Sequence, residues 1–213
     1  MWIWTLLFLL GAYHGLNPAM GWLFAVALGL QEKTGRAVLS SLLPLGLGHL
    51  ASVGAVIAVA QMARFVMPVF GVRMAAAGAL ISFGIYRLFR KGHPRWVGMR
   101  VGSWDLAFWS FLMASAHGAG LMLLPFVVAS RLQPMPASHH HAMLMSSLPE
   151  GGVSPEWWLP IGLHTAGYLI VSALIALVVY YKVGVAVLRR AWFNLDYIWI
   201  GSLIVMGIIT LLV

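Results

Sequence analysis

The chain has 213 residues, 62% of them hydrophobic and only 8% charged, with a mean hydropathy of +0.92. Soluble domains carry about 25% charged residues, so the composition excludes a soluble enzyme and implies an integral membrane protein. The net charge of +8 then reports orientation in a bilayer and not nucleic-acid binding, and the lack of cysteine excludes disulfides, thiolate metal sites and thiol redox chemistry.

Windows free of charge run over 1–31, 37–63, 74–86, 106–130, 157–181 and 197–213. Each predicts one transmembrane helix, because a lipid-exposed backbone must satisfy its own hydrogen bonds. The expected fold class is an all-α integral membrane protein with six transmembrane helices. The first window has no basic leader and no small-residue cleavage site, so it reads as a span and not as a signal peptide. It holds "GAYHGLNPAMGW" at 11–22, with His14, Asn17 and Pro18 inside an apolar run. His14 and Asn17 share one helix face. Pro18 has no N–H, so the His14 carbonyl is expected to lose its partner and to be open to a ligand; a kink used only for packing is the alternative. The second window carries Pro44 and His49. Arg73, Arg87 and Arg90 flank the short third window and can snorkel to its ends. The fourth carries His117, with Met113 and Met122 on either side and glycines at 118 and 120, and the fifth carries His164.

The loops alternate in charge. The first, third and fifth hold ten Lys or Arg residues, against Arg64, Arg73 and Arg131 in the second and fourth. That bias predicts both termini and segment 131–157 on the extracytoplasmic side of what reads as a bacterial cytoplasmic (inner) membrane. Trp2, Trp4, Trp104, Trp157 and Trp158 are expected at the interfaces. Segment 131–157 also contains His139, His140 and His141 among Met135, Met143 and Met145, a soft metal-ligand tract or, alternatively, a flexible loop with incidental affinity.

The chain repeats itself. "AYHGL" at 12–16 answers "SAHGA" at 115–119, pairing His14 with His117. "LPLGLGH" at 43–49 answers "LPIGLH" at 159–164, pairing His49 with His164. "GALISFGI" at 78–85 answers "GSLIVMGI" at 201–208, pairing Gly78 with Gly201 and Gly84 with Gly207. The matches keep their order, one per helix, which divides the chain into two three-helix repeats, 1–103 and 104–213, forming one membrane domain. An odd number of spans per repeat inverts the second copy, an architecture that puts a transporter's site at the repeat interface near the midplane.

Four histidines therefore fall inside spans with no deep carboxylate beside them. Each imidazole must find a partner or water; helix–helix hydrogen bonds are the plain reading, a functional site the sharper one. A rise of 1.5 Å per residue puts His49 about 20 Å in from Arg36, His117 about 18 Å in from Asp105 and His164 only about 10 Å in from Trp157. The His14–His117 pair is thus the expected heart of a shared site, and His164 is expected nearer the outer face. Imidazole suits Zn, Cu, Ni and Co, and methionine suits Cu(I).

"HGLNPAM" at 14–20, followed one helix later by "LGH" at 47–49, resembles the nickel/cobalt transporters of the NiCoT and NicO type, within the wider superfamily of LysE-type exporters and DsbD-like carriers. His14, Leu16, Pro18 and His49 match that pattern; Asn17 stands where the family has an acid and Met20 where it has a second histidine. The resemblance implies six helices as inverted repeats and a nickel or cobalt cargo; the departures at Asn17 and Met20 leave open a softer metal such as copper, or a ligand that is not a bare ion.

These readings converge on a small metal-ion transporter more readily than on an enzyme, with His14, Asn17, His117, His49 and His164 as substrate-binding residues, the four histidines among them as metal ligands, and His139, His140 and His141 as further metal ligands. The alternative is a haem-binding or metal-binding accessory subunit of a larger membrane complex, with paired histidines as axial ligands. A membrane zinc hydrolase is disfavoured, because no carboxylate base stands beside the histidines. The expected partners are the lipid bilayer and a metal ion or small ligand, with homo-oligomerisation left open.

Overall fold

A computed structural model describes residues 2–66, 68–89, 102–129, 157–183 and 195–212. Among them the backbone is helical throughout, with no strand: α1 (Trp2–Leu16), a 3₁₀ turn (Pro18–Met20), α2 (Trp22–Glu32), α3 (Gly35–Val66), α4 (Val69–Phe89), α5 (Ser103–Ala116), α6 (Ala119–Ala129), α7 (Trp158–Val178) running into a π turn (Val179–Val183), and α8 (Leu195–Leu212).

Three stretches, Gly35–Ala63, Phe70–Phe89 and Trp158–Val183, are long and apolar enough to cross a membrane; Ile3–Leu16, Trp22–Glu32 and Ile200–Leu212 are shorter apolar helices. The outward faces carry large apolar side chains, among them Leu43, Met62, Phe70 and Leu159. Water would penalise such a surface, and lipid would not; the molecule is compatible with a membrane protein. Trp4, Trp104 and Trp158 are exposed, as interface residues should be, but Trp157 is buried in the core.

Two of the windows expected to form single helices are broken. The first divides into α1 and α2 around Asn17–Gly21, and the fourth into α5 and α6 at His117 and Gly118. Both breaks follow from local chemistry. Pro18 cannot donate to the helix ladder, and Gly21 takes φ +119°, a conformation other residues rarely adopt. At the second, Gly118 takes φ +67°. Pro44, by contrast, lies inside an unbroken α3. The Ser110 hydroxyl of α5 donates to the Leu45 carbonyl beside it at 2.7 Å.

Helices pack in reciprocal pairs: α1 along α7, α5 along α3, and α4 against α8. Small residues permit the close approaches. A Cβ at Gly11 would overlap the His164 carbonyl across the α1–α7 seam, and one at Gly48 would overlap the Ala107 carbonyl across the α3–α5 seam. In lipid, where no hydrophobic force draws helices together, such backbone contact supplies the attraction. Gly84 and Gly207 face each other's helices across α4–α8, whereas Gly78 and Gly201 both face open space.

Candidate functional site

The three seams bring buried polar groups into an interior with little charge. His14, His49, His117 and His164 are each 0% exposed. His14 stands in the last turn of α1, His49 in α3 and His164 in α7. Their rings gather: His14 lies 5.7 Å from His49 and 5.0 Å from His164 between centroids, both edge-on, and His49 and His164 lie 5.4 Å apart and nearly parallel. His164 is therefore beside His14, because α1 and α7 are brought together by the Gly11 seam. His117 caps the C-terminal end of α5 and is buried.

Hydrogen bonding sets the tautomers. Nδ1 of His14 lies 2.7 Å from the Leu10 carbonyl, Nδ1 of His117 2.7 Å from the Met113 carbonyl, and Nδ1 of His164 3.3 Å from the Leu7 carbonyl. A carbonyl only accepts, so each Nδ1 carries the proton and each neutral ring keeps its lone pair on Nε2. Metal-binding histidines are oriented in this way. Among the described residues, Nε2 of His164 has no protein partner, and neither nitrogen of His49 has one. A buried polar group left unsatisfied costs about 1–3 kcal/mol, so these nitrogens favour a hydrogen-bonding or ligating partner.

The first break behaves differently from the sequence expectation. The His14 carbonyl is not open: it accepts from the Asn17 N–H at 3.2 Å. Every carbonyl from 14 to 20 is answered. Gly15 accepts from Ser172, Leu16 from the Trp22 indole, Asn17 from the Met20 N–H, Pro18 from the Gly21 N–H, Ala19 from the Trp109 indole and Met20 from the Tyr168 hydroxyl. Backbone polar groups away from water are rarely left alone, and here side chains of α2, α5 and α7 supply the donors that Pro18 and the turn remove. Asn17 is a cap, its Oδ1 accepting from the Ala19 N–H at 3.0 Å, while its Nδ2 has no protein partner among the described residues. At this break the Asn17 amide nitrogen is the side-chain group without a protein partner among the described residues.

Tyr168 escaped the sequence reading. Its ring stacks on His49 at 4.2 Å and 16°, its hydroxyl holds Met20 at 2.7 Å, and it is wholly buried. Two signals could have found it: it lies four residues after His164 on the same helix face, and a tyrosine deep in a span must satisfy its hydroxyl. Met20, Met113 and Met122 are also buried, Met20 and Met113 within the cluster that includes Tyr168. His139, His140 and His141 lie outside the described residues. Among the described residues, no group of three or more His, Asp or Glu side chains is arranged to hold a metal ion as it stands.

Comparison of the chain with protein-family models, with curated proteins and with solved structures finds no match.

Proposed function

We propose that this protein is a membrane transporter built from two inverted three-helix units, 1–103 and 104–213, with a transition-metal ion as its cargo. In this reading six spans cross the bilayer, the first formed by α1 and α2 and the fourth by α5 and α6. Both termini lie on the outer side. The reciprocal pairing of α1 with α7 and α5 with α3 supports the inversion, since a pseudo-two-fold axis exchanges these pairs and maps α4–α8 onto itself. The glycines support it too: the repeat pairs Gly84 with Gly207, both tight against the opposite helix, and Gly78 with Gly201, both facing open space. A broken first helix in each unit is the feature from which inverted-repeat transporters build their midplane sites.

The observation that carries the function is the cluster of His14, His49 and His164. Three helices contribute one buried imidazole each, two of the rings have their Nδ1 protons committed to backbone carbonyls, and His49 has no protein partner at either nitrogen among the described residues. Such lone pairs suit a transition-metal ion. A resident structural metal has its donors fully assembled. A cargo ion must be bound weakly enough to leave, and donors that close around it only in passing serve that need.

The test is uptake by vesicles containing the purified protein, comparing wild type with His49→Ala. Removing a group that merely orients a metal ligand costs about 10–100-fold, so loss of a ligand should lower metal flux by at least that factor. Flux through a correctly folded His49→Ala protein at the wild-type rate would contradict the proposal, as would the absence of metal flux through the wild type.

A further inference from the structure

We infer that α8 couples the two breaks, and that the hydrogen bond between Tyr13 and Ser202 is a latch that holds the present arrangement; the inference rests on the reading of the protein as an inverted-repeat transporter. Two consecutive residues of α8 carry it. The Ser202 hydroxyl lies 2.8 Å from the Tyr13 hydroxyl, 189 residues away in the chain. Tyr13 is the residue before His14, and the two rings meet edge-on at 6.3 Å. The next residue of α8, Leu203, is wholly buried and seats against Gly118, the residue after His117: a Cβ at Gly118 would come within 2.8 Å of the Leu203 side chain. One turn of α8 thus touches a chain neighbour of the histidine at each break.

The rest of this contact is apolar. Leu203 packs with Leu80 of α4 and Met122 of α6, and Leu10 and Tyr13 of α1 lie against that cluster. Leu10 also supplies the carbonyl beside Nδ1 of His14. Apolar contact is non-directional, so it tolerates sliding. A hydroxyl pair does not, because it is made only over a narrow range of distance and angle. The Tyr13–Ser202 bond is therefore the part of the interface that distinguishes one position of α8 from another.

The repeat sharpens the point. It aligns Tyr13 with Ala116 and Ser202 with Ala79. A pseudo-two-fold axis that carries α1 onto α5 and α8 onto α4 turns the Tyr–Ser pair into two alanines, whose side chains have no hydrogen-bonding group. Inverted-repeat transporters alternate access by moving one bundle against the other. A bond present in one half and impossible in the other favours one of the two resulting conformations.

The experiment uses the full chain, which has no cysteine of its own, in lipid vesicles. Spin labels on Leu159→Cys, exposed on α7, and Ile208→Cys, exposed on α8, report the separation of α8 from the α1–α7 pair as a distance distribution. Two distances are expected, with the latched one dominant. Tyr13→Phe and Ser202→Ala should each raise the other distance relative to it by about threefold, the worth of a typical hydrogen bond between membrane helices. The double variant should do no more than either single one, because both remove the same bond. An unchanged distribution in the single variants, or a double variant in which the two effects multiply, would overturn the latch. Metal flux in the wild type with unresponsive distances leaves the transport reading standing and removes the latch. Responsive distances in a protein that carries no metal keep the latch and remove the metal cargo.

Discussion

The break at 17–21 comes three residues after a buried histidine and the break at 117–118 contains one, and they are built differently. The first is a 3₁₀ turn opened by Pro18, capped by Asn17 and closed by Gly21 at φ +119°. Two of its carbonyls, Ala19 and Met20, accept from Trp109 and Tyr168, and the two that precede it, Gly15 and Leu16, accept from Ser172 and Trp22. The second spends only His117 and Gly118, with the His117 N–H returning to Met113 and the Gly118 N–H to Ser115. A short break repairs itself with its own backbone. A long one depends on other helices, and so its shape is tied to theirs. The first break is accordingly the one whose geometry can respond to events at the cluster, because Tyr168 touches both.

The largest difference should appear when each glycine is given a side chain. At Gly21, Ala would adopt a strained φ and overlap Leu45; a loss of about 3 kcal/mol is expected. At Gly118, φ +67° is the milder left-handed region and the new Cβ would meet Leu203 at 2.8 Å, so about 2 kcal/mol is expected. Detergent-based unfolding titrations would rank the two; the reverse ranking would show that the first break is the more adaptable.

Tyr168→Phe isolates the tether. The ring stays over His49, but the Met20 carbonyl loses its donor, for an expected cost of about 1–2 kcal/mol. Because the stack is kept, metal affinity should change little while the flux measured in vesicles falls. Equal loss of both would place Tyr168 among the binding groups and dissolve the distinction between a tethered and a self-contained break.

The smallest effect tests the likeness of the two halves. Gly78→Ala and Gly201→Ala face open space, and each should move stability by no more than about 0.5 kcal/mol. Gly84→Ala and Gly207→Ala, set against the opposite helix, should both cost more. Unequal behaviour within either pair would weaken the equivalence of the repeats.

Much of this was legible in the sequence, though unevenly. The helical, apolar character and the four interior histidines follow from charge-free windows, and Pro18 marked the first break. The second was harder to see, because a His-Gly pair is a weak signal in an apolar run and only φ +67° reveals its use. The free carbonyl expected at His14 failed because its replacement donor is the N–H of Asn17, one residue before the proline. The grouping of His164 with His14 and His49, and the whole role of Tyr168, depend on which helices cross at which level. That is set by glycine contacts between distant segments, Gly11 against His164 above all, and linear spacing carries little of it.

The central claim is that the two broken helices enter the membrane from opposite sides. The chain has no cysteine, so single cysteines can report on it directly. Ile3→Cys marks the start of α1, and Ser103→Cys the start of α5. In oriented vesicles an impermeant thiol reagent should reach Ile3→Cys from the extracytoplasmic side and Ser103→Cys from the cytoplasmic side. Labelling of both from the same side would contradict the inverted pair, and with it a site shared between the two breaks.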